Sequence, residues 1–177
     1  MRTVAPLSLA LLALGCARHS FKETDLPVAA SVDLDRYLGT WYEIASFPMR
    51  AQEDCTGTTA TYSLREDGDI EVYNRCTMGG LDGEVNDITG KAWVVDTETN
   101  ARLKVQFFWP FAADYWILDV DEDYQWALVG NPSRDYLWIL SRTPQMEPEV
   151  YNQLLDDLEE VYGYDLARLV DTLQPEE

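Results

Sequence analysis

Four side chains in this 177-residue sequence stand out for reactivity: the thiols of Cys16, Cys55 and Cys76 and the imidazole of His19. A nucleophilic thiol or hydroxyl needs a general base beside it, and a metal needs several converging donors. His19 is the only histidine, and it lies in "ARHSFKETDLPVAAS", a stretch with little periodicity that reads as a tether. From there it cannot serve a triad, and without further histidines no metal site and no cofactor are expected. The thiols are left with modification and cross-linking.

Cys16 closes "MRTVAPLSLALLALGC", where Arg2 supplies a positive start and Val4 to Leu14 an apolar run too short to span a bilayer. "ALGC" resembles a bacterial lipobox, with Ala13 where leucine is usual and Leu14 where a small residue is. That resemblance implies a signal peptide at 1–15, cleavage before Cys16, acylation of Cys16 and attachment to a membrane. An ordinary secretory signal is the alternative. Cleavage would remove one positive charge, Arg2, and leave −20. Export places Cys55 and Cys76 in an oxidising compartment, where an even pair is expected to bridge.

The net charge is −19, from 32 acidic and 13 basic side chains. Such a surface repels phosphate backbones, so nucleic acid is excluded as a partner class. The aromatic content of 12% excludes a disordered acidic tail.

Period-two alternation fills residues 41–142. "ATYSL", "IEVYN" and "LKVQF" each set apolar side chains on one face and mostly polar ones on the other. Turn signals such as "REDGD", "MGGLDG" and "GNPSRD" separate the runs. Eight strands are expected near 41–49, 57–65, 69–76, 86–95, 101–108, 114–119, 124–130 and 135–142. Short links favour antiparallel neighbours, and an eight-stranded up-and-down β-barrel has no exposed edge and room for one small ligand. A β-sandwich is the competing all-β architecture. "EPEVYNQLLDDLEEVYG" then places Val150, Leu154, Leu158 and Val161 on one stripe of a helix, between Pro148 and Gly163, to pack outside the barrel.

These residues resemble the lipocalin family, in particular bacterial outer-membrane lipoprotein lipocalins, over about residues 31–175, within a single domain expected at 31–177. "DLDRYLGTWYEIASFP" carries Gly39 and Trp41 of a Gly-x-Trp motif. "DVDEDYQWALV" falls where the family has Thr-Asp-Tyr, with Val120 for threonine and with Asp121 and Tyr124 in place. Arg142 ends the last strand. The resemblance implies a helical turn capped by Ser31 or Asp33, Trp41 lying across the closed end, and Arg142 stacked on its indole. These residues are expected to build a floor and not to touch ligand.

With Trp41 inward, parity adds Glu43, Ala45 and Phe47 to the inner wall. The other strands add Ala60, Tyr62, Ile70, Val72, Asn74, Ile88, Ala92, Val105, Phe107, Tyr115, Ile117, Tyr136, Trp138 and Leu140. Small residues at 45, 60, 90 and 92 suggest open space between these side chains. The resemblance implies a binding protein for a fatty acid or lysophospholipid, monomer or homodimer, tethered at 16–30 to the outer membrane and facing the periplasm. Ala17 behind the anchor favours that membrane. A lipid-transforming enzyme is the alternative, with Glu43 and Tyr62 or Tyr115 as its best residues; a filled barrel is the third. A hairpin turning at Asp67-Gly68 pairs residues whose numbers sum to 135, which sets Cys76 opposite position 59. Cys55 and Cys76 would then meet only if the first loop folds back over the rim at the cavity mouth.

Overall fold

The computed structural model describes residues 26–176; the leader at 1–15, Cys16 and His19 lie outside them. Strands β1 (Gly39–Ser46), β2 (Cys55–Leu64), β3 (Ile70–Met78) and β4 (Val85–Val94) are followed by β5 (Arg102–Phe108), β6 (Phe111–Val120), β7 (Trp126–Gly130) and β8 (Leu137–Ser141). Each pairs antiparallel with the next and β8 pairs with β1, so the sheet closes into an eight-stranded barrel. The eight strands are those the alternation predicts. One end is plugged by α1 (Leu34–Tyr37), where the Asp33 carboxylate accepts from Arg36 N at 3.3 Å. Gly39, at φ 94°, then turns the chain into β1. Of the tether expected over 16–30, the described part, residues 26–30, packs on the barrel: Leu26 and Ala29 are buried, and Ala29 N donates to Ile117 O. Lack of periodicity marks a segment without regular structure, but such a segment can still fill a gap.

Two apolar clusters flank the barrel wall. The inner one gathers Trp41, Tyr62, Ile70, Val72, Leu103, Ile117 and Leu140. The outer one holds Leu118, Leu128, Leu137 and Ile139 beneath Leu154 and Leu158 of α2 (Pro148–Glu160). The expected helical stripe stops at Leu158. Val161 follows the last turn and is exposed, and Tyr162 is buried instead.

A bulge corrects the inner wall. Against β8, Glu43 faces Leu140 but Ala45 faces Ile139, so Ile44 is an extra residue in β1. Parity flips there. Ala45 and Phe47, expected to face the lumen, sit in the outer core under the helix.

The bulge also limits the seam. β1 pairs with β2 only from Gly39 to Tyr42. Above that, the two-residue β9 (Val170–Asp171) pairs with Ala45 and Ser46, and Gly57 N donates to Leu173 O at 2.7 Å. The buried Gln174 amide donates to Glu43 O at 2.8 Å and Thr58 O at 2.9 Å, tying both sides of the opening. Periodicity cannot announce a strand of two residues.

The β2–β3 hairpin runs on a sum of 134, with Tyr62 opposite Val72 and Leu64 opposite Ile70. The expected sum of 135 would have set the inward Tyr62 against the outward Tyr73; an even sum keeps inward side chains together. A second bulge between Thr56 and Thr59 shifts the ladder again, pairing Thr56 with Thr77. Cys55 and Cys76 thereby come to a Cα separation of 5.5 Å and form a disulfide. The bridge does sit at the mouth, and it is a bulge within β2 that closes the gap. It contributes about 3 kcal/mol by loop closure.

Gln174→Ala removes both seam bonds. Urea denaturation is expected to show a loss of about 1–3 kcal/mol. A change under about 0.5 kcal/mol would mean that the seam does not depend on Gln174.

Candidate ligand cavity

The floor is assembled around one guanidinium. Arg142 Cζ lies 3.7 Å from the Trp41 ring centroid. Its nitrogens donate to Thr40 O at 2.9 Å, Arg36 O at 2.7 Å, Leu38 O at 2.9 Å, Tyr37 O at 3.2 Å and Tyr124 O at 3.2 Å. These carbonyls belong to α1, the start of β1 and the β6–β7 turn, so one side chain clamps three segments. Trp41 is fully buried and its Nε1 donates to Tyr37 O at 2.8 Å. A Cβ on Gly39 would meet Arg142 Nη1 at an ordinary contact of 3.4 Å, so it is the positive φ that favours glycine. Tyr124 accepts from Asp33 N at 2.7 Å, and the Asp121 carboxylate accepts from the amides of Asp123 and Gln125. The motif residues thus meet at the closed end.

Above the floor stand three phenols. Tyr115 Oη lies 2.8 Å from Tyr37 Oη and 2.9 Å from Tyr62 Oη. Burial pushes the Tyr62 hydroxyl up to about 12 and those of Tyr37 and Tyr115 well above their ordinary value, so all three keep their protons. Tyr37 was absent from the sequence reading because it lies in the plug turn, where strand parity says nothing.

The wall changes with height. Tyr62, Ile70, Val72 and Ala92 are buried, whereas Asn74, Ile88, Val105, Phe107 and Trp138 toward the mouth are half-buried, as are Ala60 and Tyr115. Asn74 faces Ala60 and Ile88 across its two ladders, and its Oδ1 has no hydrogen-bond partner among the described residues. Tyr136 stands at the rim and not on the wall, 42% exposed, stacked on Trp138 with centroids 5.9 Å apart. The small-residue argument for open space fails at two positions. Ala45 faces the helix, and a Cβ on Gly90 would lie 2.6 Å from the Phe107 ring.

Residues 32–174 match the lipocalin-like domain family. The chain belongs to the lipocalins. It is 44% identical over 162 residues to temperature-induced lipocalin-1 of Arabidopsis thaliana, covering 86% of this chain and 85% of that one. It is 40% identical over 172 residues to the outer membrane lipoprotein Blc of Escherichia coli K12, covering 97% and 96%. Among solved structures, insecticyanin of Manduca sexta superposes with a TM-score of 0.66 at 21% identity over 85% of each chain, a likeness of fold.

Among the described residues of this lipocalin, Glu43 is the one buried acidic side chain. Its oxygens accept from Thr172 Oγ1 at 2.7 Å, Ser46 Oγ at 3.0 Å and Gln52 Nε2 at 3.2 Å. It shares no hydrogen bond with Tyr62 or Tyr115, so the pair considered for catalysis is not assembled. Beside it, a recess of about 480 Å³ opens between the first loop and β9, lined by Met49, Gln52, Cys55 and Val170. Among the described residues no group of three or more His, Cys, Asp or Glu could hold a metal ion.

Burial raises the Glu43 pKa, and the bonds from Thr172, Ser46 and Gln52 offset part of the rise. A carboxyl with a raised folded value holds its proton more tightly folded than unfolded. The contribution of Glu43 to stability therefore falls as pH climbs from the ordinary value of 4.5 to the raised one, and is level above it. Glu43→Gln is expected to flatten that slope in urea midpoints measured from below pH 4.5 to neutrality. A slope like the parent's would place the titration elsewhere.

Proposed function

We propose that this lipocalin binds a single-chain amphipathic lipid, a fatty acid or a lysophospholipid, without turning it over. The observation that carries the reading is the inner wall: apolar and aromatic, sealed at the floor and half-buried toward the mouth. Cavities for such ligands combine a broad apolar lining with a few polar groups. Here the polar groups are the unpartnered Asn74 Oδ1 and the three phenols. The Cys55–Cys76 bridge fixes one side of the opening.

Trp138 is the reporter, because it belongs to the inner cluster toward the mouth. Dodecanoic acid and a lysophosphatidylcholine are expected to quench tryptophan emission. Trp138→Phe should lose most of that quench and weaken binding by about 1–3 kcal/mol. A quench unchanged in the variant would put the ligand elsewhere.

The location proposed is the periplasmic face of the outer membrane, through acylated Cys16, supported by the "ALGC" leader and by the likeness to an outer membrane lipoprotein. Several acyl chains hold a protein almost permanently, at about 0.8 kcal/mol per buried methylene. The parent should fractionate with membranes and Cys16→Ala should be released. Retention of the variant as strong as the parent's would end the anchoring proposal.

A further inference from the structure

The β5–β6 turn at the mouth exposes three aromatic rings that the binding reading does not use. Phe108, Trp109 and Phe111 are 70%, 84% and 77% exposed. Water is a poor environment for so much ring surface, and no element among the described residues covers it. From Val105 to Ala113 no residue is charged, although the whole sequence carries −19. At the base, Lys104 Nζ bonds Asp114 Oδ1 at 2.8 Å across the strand pair, so the first charges met cancel each other.

We infer that this hairpin tip inserts into the headgroup region of a zwitterionic lipid bilayer. The ion pair stands four residues before the turn on β5 and three after it on β6, about 10–13 Å at 3.3 Å per residue. That length suits the roughly 5–10 Å over which amphipathic segments bury themselves in a membrane interface. Tryptophan and phenylalanine favour that interface. A protein partner needs roughly 800 Å² of matched surface, and three rings on a convex turn offer only part of it. A second copy would bring another strongly acidic chain to the same mouth. The neighbouring β3–β4 turn carries exposed Asp82 and Glu84, with exposed Asp87 near the start of β4, which limits insertion to one hairpin and disfavours anionic lipid. With the tip inserted the barrel's open end faces the bilayer, where a single-chain lipid is found.

The test uses the chain from residue 16 with Cys16→Ser, so that no acyl group contributes, and phosphatidylcholine vesicles with or without phosphatidylglycerol. The parent is expected to sediment with the zwitterionic vesicles and less with the mixed ones. Combining Phe108→Ser, Trp109→Ser and Phe111→Ser should lower partitioning about a hundredfold. Brominated acyl chains should quench the parent more than Trp109→Phe. Equal partitioning of parent and triple variant, or no difference in bromine quenching, would overturn the inference. So would a concentration-dependent dimer that the triple variant abolishes without any vesicle binding, since the tip would then be a contact between copies. The triple variant should still bind dodecanoic acid in vesicle-free buffer; its loss there would make the tip part of the ligand site and overturn the proposal. If the parent itself binds no fatty acid, the cavity reading fails while the vesicle result stands on its own.

Discussion

One extra residue in β1 governs how this barrel is put together. Ile44 bulges out of the ladder with β8, and every side chain beyond it changes face. Without that flip, Ala45 and Phe47 would compete with ligand for the lumen, and the outer core would lose two of its buried members. The same bend carries β1 away from β2, so the barrel cannot close by simple pairing along its length. A distant segment, β9 with Thr172 and Gln174, fills the opening. Glu43 sits where the strands part, and its three donors come from the bend itself, the first loop and the inserted segment.

The two ends obey opposite rules. At the closed end one guanidinium is shared among five carbonyls and an indole face, an arrangement that stiffens the floor by fixing several backbone segments at once. At the open end the connections are hairpins and a loop, fastened by a disulfide and a short strand, and large apolar side chains stand in water. Rigidity below and adaptable surface above is how a container keeps its shape while exchanging its contents.

Much of this was legible in the sequence. Alternation located all eight strands because each buries one face and not the other, and the glycine, tryptophan and arginine of the floor stand at element ends that the pattern fixes. Parity failed wherever the ladder did: at Ile44, which misdirected Ala45 and Phe47, and at Thr56–Thr59, which decided how the cysteines meet. A bulge is an irregularity of one residue, and periodicity is an average over many. Contacts across long separations, such as Gln174 with Glu43, leave no local signature at all. The hairpin aromatics were read as strand and turn, since a pattern of apolar residues does not say whether anything covers them.

The phenols above the floor have a further property. Three hydroxyl hydrogens share two oxygen–oxygen contacts, so one hydrogen is always left over. Rotating the O–H bonds together reverses the direction of the chain and moves the spare hydrogen from one end to the other, at little cost because no charge is created. The bottom of the lumen is thus ambidextrous. The same three residues can present either a free hydroxyl hydrogen or a free lone pair, without any change of charge.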